Sequence, residues 1–327
     1  MTMILEVNDL HVQFNRPEGT VHAVNGVTFQ VQAGEWIGVL GESGSGKSVS
    51  LLSILKLLGD SANIPQGQAR FAEHDLLTMS ERKLRRLRGK DIGIIFQNLA
   101  NGLDPLMRIG QQVIEPMLEH NICTKREAKR RAIALLAEMG LSDPESQFNR
   151  YPFELSGGMR QRVMMAVALA CNPKLLIADE PTTALDTTVS VQVLSTLREA
   201  CERRNMTTIM VTHDLGVAAN VCDRVLVMYG GMIMEDAEID GFIKHPAHPY
   251  TLGLKASIFS LKHRDIPLKP IAGSAKTWWL KPLGCPFAER CPFAIEKCWK
   301  VHPDMVKLSE QHEVACHRSQ EMSTLVG

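Results

Sequence analysis

No charge of either sign predominates in this chain. Its 327 residues hold 36 lysines and arginines against 36 aspartates and glutamates, a formal net charge of zero. Nucleic acid and acidic membrane surfaces recruit proteins through an excess of basic charge, so neither is expected as the main partner. No apolar run reaches the roughly 20 residues a helix needs to cross a bilayer. Any membrane role is therefore expected to be peripheral. The opening stretch, MTMILEVNDLHVQF, alternates apolar and polar side chains and lacks the charged-then-apolar layout of a secretory signal. A cytoplasmic setting is the expectation, and with it reduced thiols. Internal repeats and low-complexity tracts are missing as well.

Hydrophobic residues are plentiful at 45%, enough for one or two ordinary cores. EWIGVL ends at Leu40 against a glycine, which predicts a buried strand followed by a tight loop. SVSLLSILKLLG, after it, has helical spacing and predicts a helix running to Gly59. SERKLRRLRG predicts a basic helix with Ser80 as its N-cap, and DIGIIFQ, 91 to 97, another buried strand. From about 98 to 160 the pattern is helical and polar, clearest in KREAKRRAIALLAEMG. KLLIADE and TTIMVTHD read as two more buried strands. The helix-length stretches between them argue for a parallel α/β sheet. RVLVMYGGMIMED predicts a hairpin turning at Gly230 and Gly231. Beyond about 240 the texture shifts to proline and turn residues, in HPAHPY and IPLKPIAG, and a boundary is expected between 240 and 260.

Three motifs carry chemistry. GESGSGKS, Gly41 to Ser48, fits G-x-x-x-x-G-K-[ST] and lies between a predicted strand and a predicted helix. In such a loop Gly41, Glu42, Ser43, Gly44, Ser45 and Gly46 turn backbone N–H groups toward a phosphate chain, aided by the helix N-terminus that follows. Lys47 then neutralises the β and γ phosphates, and the Ser48 hydroxyl ligates Mg²⁺. LLIADE ends a buried strand on two carboxylates, at the strand end where α/β sheets bind ligands. Asp179 is placed to hold Mg²⁺ through its water shell, and Glu180 to polarise an attacking water as general base. ELSGGMRQR sets Ser156, Gly157 and Gly158 at the start of a helix, a second anion-binding N-terminus. Two cradles suit a head-to-tail dimer in which each subunit lends its second cradle to the other's nucleotide.

LSGGMRQR followed by LLIADEPTTALD and VTHD resembles the ATP-binding subunits of ABC transporters, over residues 1 to about 235. The resemblance implies a P-loop NTPase of ABC type, with a mixed-sheet core, an antiparallel β subdomain and a helical subdomain at about 98–160. It implies that Gln97 senses Mg²⁺ and the attacking water, that Ser156 to Gly158 meet the γ-phosphate across a dimer, and that Asp186 is the aspartate of the loop between subunits. His213 is implied as the switch histidine that contacts the γ-phosphate and orients Glu180. Phe14 stands where the family stacks an aromatic on adenine, although a phenylalanine on a first strand also packs into cores. Two departures are visible. Met159 replaces the commoner glutamine of the signature, and NLANGLDP follows Gln97 where peptide-type members read close to DPxxSLNP. The second bears on which membrane subunits are met.

HPAHPYTLGL, 245 to 254, resembles the start of the C-terminal extension in the oligopeptide, dipeptide and nickel importer group, and the motif layout is similar to its D-type subunit. Two domains are expected: 1–240, an ABC ATP-binding domain, and 241–327, a small cysteine-rich extension. The resemblance implies a second, homologous ATPase subunit, two transmembrane permease subunits and an extracytoplasmic solute-binding protein, with this chain peripheral on the cytoplasmic face of the inner membrane. Peptides are the first expectation for the cargo; nickel, other metal chelates and opines stay open, as do a soluble ABC ATPase and a redox-sensing regulator.

Eight cysteines divide unevenly. Cys123, Cys171, Cys201 and Cys222 are scattered singly, whereas Cys285, Cys291, Cys298 and Cys316 fall together. A disulfide framework conflicts with the expected compartment. Structural zinc takes pairs spaced C-x₂₋₄-C, and none is that close here. Wider spacing suits a larger object such as an iron–sulfur cube, and Cys285 and Cys291 each precede a proline, as in ferredoxin runs. The family resemblance implies a [4Fe–4S] cluster on these four thiols, with Zn²⁺ or no metal as the alternatives; His312 and His317 are read as bystanders.

Overall fold

The computed structural model describes residues 2–97, 102–182, 187–257, 271–274 and 276–322. Among these the strands are β1 (Met3–Arg16), β2 (Gly19–Gln32), β3 (Trp36–Leu40), β4 (Ala62–Phe71), β5 (His74–Asp75), β6 (Ile92–Ile95), β7 (Leu175–Asp179), β8 (Thr207–Thr212), β9 (Arg224–Tyr229), β10 (Met232–Glu238), β11 (Val306–Ser309) and β12 (His312–Val314). The chain forms two compact units that interleave along the sequence.

One unit comprises Met1–Ile4, Val31–Trp36 and Thr78–Val211. Its sheet is parallel, β6 beside β7 and β7 beside β8. Every residue of β7 and β8 is buried, as expected of strands covered on both faces by helices. Each leucine or isoleucine so enclosed contributes about 1.5–3 kcal/mol. The helices Ile109–Glu119, Lys125–Glu138 and Gly157–Leu169 belong here. Lys125–Glu138 starts on Thr124, whose hydroxyl accepts the Glu127 N–H, an N-cap that satisfies one of the free donors of the first turn. Ser80 also occupies an N-cap position, before Glu81–Leu87, but its side chain makes no capping hydrogen bond. The predicted strand 91–97 is shorter than its apolar run: it stops at Ile95, and Phe96 is already 45% exposed.

The other unit comprises Leu5–Gln30, Ile37–Leu77 and Thr212–Gly327. One sheet has the order β2-β1-β4-β5, with β1 and β4 antiparallel. In the other, β3 runs parallel to β9, and β9, β10, β12 and β11 follow as antiparallel neighbours. The β9–β10 hairpin turns at Gly230 and Gly231 as their positive φ angles of 57° and 77° allow. After β3 comes the helix Lys47–Ile54, which ends five residues short of Gly59. Lys56 takes φ +50°, and the Lys56 and Leu57 N–H groups donate back to Ser53 and Leu52 carbonyls. That double bond is a Schellman ending, usually built on glycine, and a lysine in its place leaves no mark in the helical spacing.

Candidate functional site

The loop Gly41–Gly46 joins the buried strand β3 to the helix Lys47–Ile54. Gly41 (φ +149°) passes so close to β9 that a Cβ there would lie 2.3 Å from the Met228 carbonyl. Gly46 (φ +101°) would place one 2.7 Å from the Ala23 carbonyl. Neither site tolerates a side chain, and the two glycines fix where the loop enters and leaves. Between them Ser43 and Gly44 are exposed, whereas Ser45, Gly46 and Lys47 are buried. Lys47 Nζ donates to the carbonyls of Gly41 (2.7 Å) and Glu42 (2.9 Å), so its charge is stored inside the loop. The Ser45 hydroxyl is buried with no hydrogen-bond partner. A buried orphan hydroxyl ahead of a helix N-terminus fits an anion that supplies the missing acceptor. Ser48, half-buried on the first helical turn, offers a hydroxyl oxygen, a donor type suited to Mg²⁺.

Phe14 lies near the end of β1, opposite Ala62 of β4 and half-buried, so its ring is not wholly committed to packing. His213 is exposed, one residue past β8. It precedes Asp214, whose carboxylate caps the helix Leu215–Val221 by accepting the Val217 N–H. The histidine thus sits on a bend held on both sides, since Asp214 N–H also donates to the Thr212 hydroxyl.

In the other unit, register brings Gln97 and Glu180 together. Ile95 of β6 pairs with Ala178 of β7, and each of the two polar residues lies two positions further on. Gln97 Nε2 donates to the Glu180 carboxylate at 2.9 Å. Asp179 is buried at the last position of β7. Glu180 has φ +45°, with its N–H donating to the Val211 carbonyl. A left-handed glutamate costs on the order of 1 kcal/mol, and here the bend turns its carboxylate away from the strand line toward Gln97.

Ser156 forms the N-cap of the 13-residue helix Gly157–Leu169, its hydroxyl accepting the Met159 N–H at 3.3 Å. Ser156 is exposed, Gly157 and Gly158 are half-exposed, and a Cβ on Gly157 would meet nothing within 4 Å. Asp186 lies outside the described residues.

Downstream of the hairpin the chain returns to the Gly41–Gly46 loop. His248 caps the helix Pro249–Ala256 through Nδ1, which accepts the Tyr250 N–H. Burial holds the His248 pKa down at about 4, so this ring is neutral near pH 7. Glu235, fully buried on β10, accepts the Ala247 and His248 N–H groups and the His312 Nε2–H at 2.8 Å. His312 therefore is an anchor of this segment, while His317 donates to the Val301 carbonyl. Tyr250 Oη accepts the Glu42 N–H at 2.8 Å, and Arg290 pairs with the Glu42 carboxylate. The sequence alone does not single out Glu235, His248, Tyr250 or Arg290, since their partners lie far along the chain.

Cys285, Cys291, Cys298 and Cys316 all line one small cavity, closed by His248, Phe293 and Arg318 among others. Burial pushes the Cys285 thiol up to about 12 and Cys291 to about 11, and raises Cys316; neighbouring thiols of the set push the same way. Among the described residues no group of three or more His, Cys, Asp or Glu side chains is arranged to hold a single metal ion. Of the other cysteines, Cys171, Cys201 and Cys222 are buried and Cys123 is half-buried.

Comparison with known proteins decides the family. A family model for ABC transporters matches residues 24–183, and one for the oligopeptide/dipeptide transporter C-terminal region matches 234–298. The oligopeptide transport ATP-binding protein AppD of Bacillus subtilis is 43% identical over 98% of both chains. The chain belongs to the ATP-binding proteins of oligopeptide/dipeptide ABC transporters. The dipeptide transport ATP-binding protein DppD of Bacillus subtilis is 42% identical, covering 97% of this chain and 95% of its own. OppD of Salmonella typhimurium is 44% identical over 92% of this chain and 90% of its own. Among solved structures, the dimeric ATP-binding cassette MJ0796 in a post-hydrolysis state with ADP and Pi superposes with TM-score 0.65 at 28% identity, over 72% of this chain and 98% of that one. CbiO1 of Clostridium perfringens gives TM-score 0.64 at 28% identity, over 75% and 92%. This ABC cassette, with its mixed sheet, is an ATP-hydrolysing subunit. No helix among the described residues is long and apolar enough to cross a membrane.

Proposed function

We propose that this chain is the ATPase subunit of an importer for di- and oligopeptides, bound to the cytoplasmic face of the membrane beneath two permease subunits and paired with a second, homologous ATPase. The observation that carries the reading is similarity to peptide-transport ATP-binding proteins that continues through the C-terminal segment 234–298. An extracytoplasmic binding protein delivers the peptide to the permeases. Uptake of labelled di- and oligopeptides by cells carrying the intact gene or Lys47→Ala, with a ligand screen of the cognate binding protein, tests it. Uptake of nickel or opines with no peptide uptake would replace the cargo.

The residues divide the reaction as follows. The loop Gly41 to Gly46 wraps the phosphate chain with backbone N–H groups other than that of Glu42, which donates to Tyr250 Oη, and Lys47 leaves the Gly41 and Glu42 carbonyls for the β and γ phosphates. Phe14 stacks on the adenine. Ser48, Gln97 and Asp179 hold Mg²⁺, which when bound neutralises charge on the transferring phosphoryl group. Glu180 takes a proton from the attacking water as its oxygen bonds to the γ-phosphorus and the bond to the ADP oxygen breaks. The Gln97 hydrogen bond, at 2.9 Å, keeps the acidic oxygen aimed. His213 contacts the γ-phosphate and reports its presence. Ser156, Gly157 and Gly158 close on the γ-phosphate held by the partner ATPase, with Asp186 at that subunit boundary.

Cys285, Cys291, Cys298 and Cys316 are proposed to ligate a [4Fe–4S] cluster that staples the segment after β10. Four thiols around one cavity support this. Thiols pushed up to about 11 and 12 need a strong cation nearby to ionise. Anaerobically purified protein should absorb near ~400 nm and carry about four iron atoms per chain; iron-free protein with the same melting temperature would remove the cluster.

A further inference from the structure

Glu42 is held at three points. Its N–H donates to Tyr250 Oη at 2.8 Å, its carbonyl accepts from Lys47 Nζ at 2.9 Å, and its carboxylate receives both terminal nitrogens of Arg290, at 2.5 and 3.0 Å. Tyr250 is fully buried and the Arg290 side chain is 7% exposed. Arg290 is itself fixed on every side. Its Nε donates to the Ala272 carbonyl at 2.7 Å, one terminal nitrogen reaches Tyr229 Oη at 3.2 Å, and the guanidinium lies against the rings of Tyr229 and Phe287. The Glu42 hydrogen bond holds the Arg290 proton more tightly than usual. The residue occupies a single helical turn, Ala288–Arg290, between Cys285 and Cys291.

A planar fork on a carboxylate fixes direction as well as distance. The peptide on either side of Glu42 is consequently set by residues far along the chain, and one of its carbonyls is a resting partner of Lys47. We propose that Arg290 and Tyr250 are positioning residues for ATP binding: they hold the second residue of the phosphate loop in its nucleotide-ready conformation, and so make ATP affinity depend on the segment that carries the cysteines. The proposal rests on Gly41–Ser48 being the phosphate loop. It adds two residues, from outside the motif, to the loop's machinery.

Equilibrium titration of the full-length protein with MgATP, together with steady-state hydrolysis, tests it. Arg290→Ala and Glu42→Gln should each weaken ATP binding about tenfold, equivalent to about 1.4 kcal/mol. Arg290→Lys, which keeps charge but not the fork, should fall between. In each, KM for ATP should rise more than kcat falls. The double variant Glu42→Gln/Arg290→Ala should be no worse than either single one, because both remove the same link. Tyr250→Phe, losing the backbone acceptor alone, should weaken binding roughly threefold, a single neutral hydrogen bond. Arg290→Ala and Glu42→Gln that bind ATP within about twofold of the parent, or whose effects multiply, would overturn the proposal. Should Arg290→Ala fail to fold, Glu42→Gln decides alone, since it leaves the arginine on its rings and carbonyls. Lys47→Ala separates the two ideas. If it still binds ATP the phosphate-loop reading fails, and if it alone loses ATP only the positioning role fails.

Discussion

Two helix N-termini in this chain have the composition of anion cradles, and they are built in opposite ways. The one at Lys47 is preceded by glycines that no other residue can replace, is largely buried, and is fastened through Glu42 to Tyr250 and Arg290. The one at Gly157 is capped by its own Ser156, is open to solvent, and has no neighbour near Gly157. The first holds its own cation, Lys47, against the Gly41 and Glu42 carbonyls. The second has no lysine or arginine at Ser156 to Gly158, and its first residues are solvent-accessible. A cradle finished by its own chain suits a ligand bound first; an open one suits a ligand arriving on another subunit. The difference is what the proposed ATP site, shared between two ATPase subunits, requires of this one.

The largest effect expected from breaking this comparison is at Lys47. Lys47→Ala should cut ATP affinity about 100-fold or more, since charged hydrogen bonds contribute about 1.5–3 kcal/mol each; binding of a fluorescent ATP analogue measures it. Glu180→Gln should leave that binding intact while lowering turnover by roughly 10²–10⁴, the usual contribution of a general base. With ATP it should accumulate as the closed dimer on size-exclusion chromatography beside its partner ATPase. Turnover near the parent's would remove Glu180 from the role. Ser156→Arg should spare ATP binding by the separate chain and abolish the ATP-dependent association, because a bulky side chain blocks only the open cradle.

A smaller effect sharpens the contrast by acting on the support behind the closed cradle. His248 has an ordinary pKa of 6.5 when unfolded and about 4 when buried. Only the unfolded chain takes up its proton between those values, so stability from this group is complete above about pH 6.5 and declines as pH falls toward 4. The full decline is about 3 kcal/mol at 1.36 kcal/mol per unit. His248→Gln retains an acceptor for the Tyr250 N–H and should lessen the loss of melting temperature between pH 7 and pH 4.5. An unchanged pH dependence would assign that loss to other groups.

How much of this was written locally can be judged residue by residue. The strands ending at Leu40, Asp179 and Thr212 were legible because strands buried on both faces carry short, largely apolar, β-branched-rich runs. Gly41 and Gly46 were legible because their motif demands the positive φ angles that both adopt. The meeting of Gln97 with Glu180 depends on register between β6 and β7, which no local pattern encodes. The helix end at Lys56 was hidden because a lysine, not a glycine, takes the left-handed turn. Arg290 and Tyr250 were out of reach for a plainer reason: their partner Glu42 lies 248 and 208 residues away. Cysteines drew attention to the tail, while the arginine between them carries its link to the loop.

The most direct test of the two-cradle account is to titrate MgATP into the purified chain, alone and with its partner ATPase, for the parent, Lys47→Ala and Ser156→Arg. The account predicts that alone, Ser156→Arg binds like the parent and Lys47→Ala binds about 100-fold or more weakly. With the partner present, neither variant should show ATP-driven association at the affected face. Loss of ATP binding by the separate Ser156→Arg chain, or its retention by Lys47→Ala, would contradict it.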